Sequence, residues 1–394
     1  MKAVTRVLSA DVDLNDVCRH DGFLFVRNGV GVAGRGRAAV VTADDALTAL
    51  GAIEHDDASA GRAGPVALGC LPFRPGSPAE FVIPSVVVRK TADGGVFLTT
   101  IDAPSESDLA LSAEPSPPNT PSFRVGPRSP IDTYRRAVAT GRDAVRRGDL
   151  TKVVIAREIG IDSDQPLDVH AILLRLRAAF GASYRYSIDG LIGASPELLV
   201  SVEDDVVRSH PLAGTTPRTG DPATDEALAH KLVASMKDQI EHRVVIDVVH
   251  DALLPWCSYL DWEPEPSIVK VANVQHLGTL IEGRLSEPRP DVLALARTLS
   301  PTPALGGHPR DAAIQLIDAH EGFERGRYGG AVGWLDANGN GVFAVAIRCA
   351  ELSSDRRSAR LIAGGGIVAD SDIDAELAET QAKFQAMLSA IVRP

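Results

Sequence analysis

Two stretches of this chain each carry two acids three residues apart. Asp238 and Glu241 stand in SMKDQIEHRVVIDVV, and Glu376 and Glu379 stand in DIDAELAETQAKFQAML. Both stretches read as helix, and residues three apart share one helix face. Each helix can therefore aim two carboxylates at one point. Two such helices facing each other make an oxygen-only site for a hard cation, with Mg²⁺ the first choice. An acidic pair on a single helix is more often a solvated face, so the weight falls on the residues that accompany these four.

Lys152 opens the strand KVVIAR and shares a face with Val154 and Ala156. A buried lysine can serve as a general base. The plainer reading is a lysine at a strand's first residue that reaches solvent along its stem. Glu197 lies in GASPELLV, where Pro196 marks an irregular turn. Burial would make it a general acid; otherwise it is a loop carboxylate at a strand start. Leu212 to Thr216, with Gly214 and Thr215, reads as a loop of small residues whose backbone N–H groups can hold an anion. A plain surface turn explains that loop equally well. Arg348 ends an alternating strand with Val342, Ala344 and Ala346 on its face, and its forked guanidinium suits a carboxylate. The run Gly364, Gly365, Gly366 lets backbone N–H groups approach the same anion. Lys383, four residues after Glu379, adds positive charge or pairs with that acid. His276, in VANVQHLGTL, is a partner for a substrate hydroxyl or carbonyl, or a structural histidine. His242 directly follows Glu241, cannot share its face, and reads as structural.

The elements that must position these residues can be read in outline. Residues 1–100 read as short strands and turns with little helix. Residues 102–130 are rich in Pro and Ser and read as a connector. Ser129-Pro130 opens a helix through Arg147. The strand TKVVIAREIGI follows, then a helix near 168–180 and the strands SYRYSI, LIGAS and ELLVSV. The loop HPLAGTTPRTGDP feeds a long helical stretch, about 222–254. YGGAVGWL and GVFAVAIRCAEL flank DANGN as a hairpin. The strand SARLIA ends in the glycine run, and a final helix begins near Asp374. No internal repeat is visible. Strands and helices are interspersed without a regular βαβ rhythm, which predicts an α+β architecture. Residues 1–125 are expected to form a strand-rich portion integrated in the same fold, with a linker near 102–130, and residues 126–394 to carry the site.

The 394-residue chain has 52 acidic and 40 basic residues, a formal net charge of −12. That balance argues against nucleic acid as the main partner. No apolar run approaches a membrane span, and MKAVTRVLSADVDLNDV has no signal-peptide stretch. Cys18, Cys70, Cys257 and Cys349 are scattered, with no CxxC, and read as reduced thiols of a cytoplasmic protein. Without a coiled-coil pattern, a monomer is expected.

Residues 130–394 carry, in order, KVVIAR, GASPELL, HPLAGT, KDQIEH, VQHLGT, PTPALGG, YGGAVGW, VFAVAIR, GGGIVADSD and ELAETQAK. In this order the motifs resemble the chorismate-utilising enzymes, the family of isochorismate synthase, salicylate synthase and the large subunit of anthranilate synthase. The resemblance implies a β-sandwich core with flanking helices and chorismate bound with Mg²⁺. It implies that Glu241 and Glu379 hold the metal directly, and Asp238 and Glu376 through metal-bound water. Arg348, Lys383 and the glycine backbone about Gly365 match the region that receives substrate carboxylates. Gly214 and Thr215 match the substrate loop.

Within the family, Lys152 matches the base that activates water for attack at C2. Glu197 matches the acid that protonates the departing C4 hydroxyl. Members that use ammonia have a non-basic residue at the lysine position. Isochorismate synthases resemble this chain in having Ala at the position of Ala304, where salicylate synthases tend to have Thr. Met236 departs from relatives that carry an acid there, outside the metal positions. The resemblance therefore implies an isochorismate synthase, an isomerase in siderophore or menaquinone biosynthesis, with no glutamine amidotransferase partner. The rivals are a salicylate synthase, an aminodeoxyisochorismate- or anthranilate-forming relative, and a non-catalytic chorismate-binding protein. Ala304 speaks against the first, Lys152 against the second, and the intact set of base, acid and metal positions against the third.

Overall fold

The computed structural model describes residues 1–113, 121–271 and 274–393, the side chain of Lys237 apart. Strands with apolar residues on one or both faces must bury those faces against another layer. Here the described residues form a 13-stranded sheet, a 9-stranded sheet and a small 3-stranded sheet. Phe25, Val32 and Tyr186 of the first sheet pack against Leu68, Val332 and Trp334 of the second. The outer face of the larger sheet is covered by the helices Val169–Phe180 and Ile373–Val392. The outer face of the second is covered by Met236–Leu253 and Val292–Leu299. This is a β-sandwich with flanking helices, as expected.

The first hundred residues feed both sheets. Phe23–Arg27 pairs with Tyr184–Ile188, and Val66–Leu71 pairs with Ala331–Asp336. Helices at Ile131–Arg146, Val169–Phe180 and Ile373–Val392 lie where the pattern predicts them. The lysine-bearing strand Lys152–Ser163 pairs with Ser358–Ile367 from Val153↔Ile367 to Asp162↔Ser358.

The structure departs from the sequence reading at five places. Leu212–Pro217 is a strand rather than a loop, paired with Val274–Gly278. That partner lies about sixty residues away, so local composition did not reveal it. The helical stretch after Pro222 is two helices, Pro222–Ala234 and Met236–Leu253. Ser235 breaks it by taking an extended conformation and accepting the Asp238 N–H as an N-cap. The strand toward Arg348 stops at Val345 and resumes at Cys349, and Arg348 stands between with φ 51°. The glycine run does not end a strand but lies inside Ser358–Ile367. The connector contains a short helix, Glu106–Leu109, and the strand Phe123–Pro127; its residues 114–120 lie outside the described residues. Among the described residues no helix is long and apolar enough to cross a membrane.

Candidate active site

One cleft, with a cavity volume of about 320 Å³, is lined by Lys152, Glu197, Gly214, Thr215, Asp238, Glu241, His276, Ala304, Arg348, Glu376, Glu379 and Lys383. Of the site residues read from the sequence, only Gly365 is not on its wall, where its neighbours Gly364 and Gly366 stand instead.

Glu197 sits where the chain passes from the larger sheet, at Leu191–Ser195, to the second, at Leu198–Glu203. Pro196 makes that corner and the side chain turns inward, 3 % exposed. Burial pushes its carboxyl up to about 8, and the Leu212 backbone, Lys152 and Arg348 pull it back only in part. A carboxyl in that state is protonated at neutral pH and can donate a proton.

Lys152 is 4 % exposed, so its stem does not carry it to solvent. Its Nζ donates to Glu241 Oε1 at 2.5 Å. Lys383 Nζ donates to Glu379 Oε1 at 2.6 Å and to the Gly364 carbonyl at 2.7 Å. The desolvation that would raise the Glu379 carboxyl is outweighed, chiefly by Lys383, and it is held below the ordinary value. Each helix thus offers one acid that a lysine already engages. Ser371 Oγ donates to Glu376 Oε1 at 2.8 Å, and Asp238 sits in the first turn of its helix.

The fit of a divalent cation can be judged from the donors and the space around them. Every donor is a carboxylate, the set a hard cation prefers. All four acids adjoin a glycine. A Cβ at Gly365 would lie 2.6 Å from Glu376 Oε2 and 3.9 Å from Glu379 Oε1. One at Gly366 would lie 3.1 Å from Glu241 Oε1, and one at Gly214 3.2 Å from Asp238 Cβ. The backbone therefore leaves room where these acids gather. As they stand, no three such groups among the described residues converge on one point. The two lysine ammonium groups hold the positive charge beside Glu241 and Glu379 instead. The donor set and the glycine cradle fit a hard cation once those lysine contacts exchange.

Gly214 lies at a register shift in its strand with φ +69°, a conformation that favours glycine. Its carbonyl meets His276 Nδ1 at 3.1 Å, and Thr215 Oγ1 is also 3.1 Å from that nitrogen. A carbonyl only accepts, so Nδ1 carries the proton and Nε2 is the bare acceptor. Burial first, then Arg348 and Lys383, push the imidazole down to about 3, which keeps it neutral. Its Nε2 is buried without a hydrogen-bond partner. Arg348, expected at a strand end, instead reaches the cleft from a left-handed turn between strands. The Tyr186 hydroxyl donates to the Ile347 carbonyl at 3.0 Å, and Ala194 N–H donates to the Arg348 carbonyl at 3.0 Å, which hold that turn. His242, read as structural, is 1 % exposed with Nε2 2.8 Å from Thr279 Oγ1.

Tyr328 also lines the cleft, and the sequence reading missed it. The only signal was its place in YGGAVGW, whose glycines drew attention instead. The same reading passed over Glu321 and Arg325, a fully buried ion pair behind the cleft. Their spacing of four in HEGFER was the available clue.

The chain as a whole is similar to proteins already known. The chorismate binding enzyme family model matches residues 52–392. Isochorismate synthase DhbC of Bacillus subtilis (strain 168) is 36 % identical over 342 residues, covering 84 % of this chain and 82 % of that protein. Isochorismate synthase EntC of Escherichia coli (strain K12) is 34 % identical over 345 residues, covering 86 % of this chain and 84 % of that one. The solved structure of MenF, the menaquinone-specific isochorismate synthase of Escherichia coli, superposes with a TM-score of 0.86 at 25 % identity, covering 99 % of this chain and 94 % of that one.

Proposed function

This chain belongs to the chorismate-binding enzymes, and we propose that it is an isochorismate synthase, an isomerase that moves a hydroxyl from C4 to C2 of chorismate. The observation that carries this reading is a buried carboxyl, Glu197, held protonated in the same cleft as a buried lysine, Lys152. The carboxyl supplies a proton donor, and the lysine is the nearby group that would accept one.

In the proposed reaction the oxygen of a water molecule bonds to C2 while its proton passes to Lys152. The ring double bonds shift, the C4–O bond breaks, and Glu197 gives its proton to the departing oxygen, which leaves as water. One water enters and one leaves, with no oxidation or reduction. Lys152 donates to Glu241 as the protein stands, so the proton-accepting role needs that bond to be exchanged first. Neutral His276 offers Nε2 to a substrate hydroxyl. Arg348 and Lys383 offer charge to the substrate carboxylates, and Gly364 and Gly366 line the same wall. Glu241 and Glu379 would hold Mg²⁺ directly, with Asp238 and Glu376 acting through its water. The ion would supply an anchor and a charge screen for a carboxylate. Ala304 on the cleft wall favours a reaction that stops at isochorismate, which would feed siderophore or menaquinone biosynthesis.

The test is product analysis of the purified protein with chorismate and Mg²⁺, with and without ammonia. Isochorismate in equilibrium with chorismate, independent of ammonia and without pyruvate, is the expected result. Salicylate with pyruvate would make the chain a salicylate synthase and remove the argument from Ala304. An ammonia-dependent product would remove Lys152 from the role of base.

A further inference from the structure

The strand that carries Lys152 has a gap along one edge. On one side it is paired throughout with Ser358–Ile367. On the other side Gly307–His308 covers only Lys152 and Val153, and Phe123–Pro127 begins its pairing at Ile159. Between these the backbone at Val154 and Ala156 faces no strand among the described residues. Buried backbone groups must still find partners.

The Val154 N–H donates to the Gly306 carbonyl at 3.0 Å, and the Val154 carbonyl and Ala156 N–H find theirs in two side chains. Glu321 Oε1 accepts the Ala156 N–H at 2.7 Å. Arg325 donates to the Val154 carbonyl at 2.7 Å and to the Leu305 carbonyl at 2.7 Å. Arg325 Nε also donates to Glu321 Oε2 at 2.9 Å, and a second bond joins the same pair. The side chains of the two residues are 0 % and 2 % exposed. The guanidinium lies 4.3 Å from the centre of the Phe73 ring. The ion pair thus stands in for a strand segment, with a carboxylate in place of a carbonyl and a guanidinium in place of N–H groups. The loop it ties to the strand holds Ala304 and Leu305, and Leu305, like Val154, lines the cleft. The Arg325 carbonyl in turn accepts the N–H of Tyr328, another lining residue.

We propose that Glu321 and Arg325 are positioning residues that bridge the open edge of the lysine strand and lock it to the Ala304–Leu305 loop, so that the base and the substrate-facing loop keep one spacing. This rests on the isochorismate synthase reading for the identity of the base and loop. Neither side chain lines the cleft. A guanidinium can serve the strand, the loop and the carboxylate at once because its donors form a rigid fork; an ammonium cannot.

The test is steady-state kinetics of wild type, Arg325→Lys and Glu321→Gln with chorismate and Mg²⁺, with circular dichroism on the same samples. For Arg325→Lys we expect kcat to fall about 100-fold, the scale of a misplacement near 1 Å, and the chorismate KM to rise by about tenfold. For Glu321→Gln, which touches the strand but not the loop, kcat falls and KM stays within about threefold. An unfolded fraction lowers apparent kcat and cannot move KM. Wild-type KM in folded Arg325→Lys would overturn the proposal. If both variants fail to fold, Phe73→Leu removes the ring beneath the guanidinium and leaves the ion pair; a KM rise of about threefold supports the lock, and an unchanged KM overturns it. If wild type itself forms no isochorismate, the activity is refuted. The chorismate Kd of the same variants, by calorimetry, then decides the positioning role: weaker binding in Arg325→Lys supports it, and equal binding overturns it.

Discussion

At the scale of single residues, the decisive group is Glu197. Its carboxyl ordinarily ionises near 4.5 and is pushed up to about 8 by burial. Glu197 therefore donates a proton only below that value, and activity should decline as pH rises through about 8. The same shift has a consequence for stability. A group that holds its proton more tightly when folded stabilises the fold below its unfolded value, and that contribution is lost as pH rises toward its folded value. Between pH ~5 and ~8 the loss is on the order of 3 kcal/mol. Glu197→Gln keeps the shape of the protonated acid and cannot ionise. We expect it to lose about 10³-fold in kcat and to melt higher than wild type at pH ~8. Thermal melts across pH together with turnover check this. A variant less stable at alkaline pH would show that Glu197 is ionised in the fold.

At the scale of elements, the strand Ser358–Ile367 does two jobs that its glycines make compatible. It pairs with the lysine strand and leaves its face open for acids arriving from two helices. A Cβ at Gly366 would lie 2.7 Å from Lys152 Cε and 3.1 Å from its Nζ. Those atoms are the far end of a flexible side chain and can move, so the sheet need not break. We expect Gly366→Ala to change stability by less than about 1 kcal/mol and to reduce kcat by about 100-fold as the Lys152 ammonium is pushed aside. A loss of stability matching the loss of turnover would instead assign Gly366 to the sheet. The break at Ser235 belongs to this scale too. It begins a new helix whose first turn carries Asp238 and whose second carries Glu241.

At the scale of the whole molecule, the first hundred residues contribute strands to the two larger sheets, which carry Lys152, Glu197 and other residues of the cleft. Leu68, fully buried between those sheets, comes from this N-terminal part. We propose that residues 1–125 and 126–394 unfold together. Leu68→Ala should lower stability by about 2–5 kcal/mol while calorimetry still shows one transition. Two separated transitions would make the N-terminal part an independent domain.

The sequence by itself picked out most of the polar residues that line the cleft. Lys152, Glu197, Arg348, Lys383 and the four acids were legible because each sits in a short motif with a definite residue type, and the order of the motifs pointed to one family. Helix spacing settled which acids share a face, since that geometry is local. Tertiary structure decided the state of those groups. Glu197 holds its proton because two sheets close over the corner at Pro196. Lys152 pairs with Glu241 across 89 residues of chain, a contact that neither segment's composition carries. The strand at Leu212–Pro217 and the ion pair of Glu321 and Arg325 escaped the sequence for the same reason. Their partners are backbone groups distant along the chain, brought close by folding, and a residue's type records what it can bond but not which distant group folding will place before it.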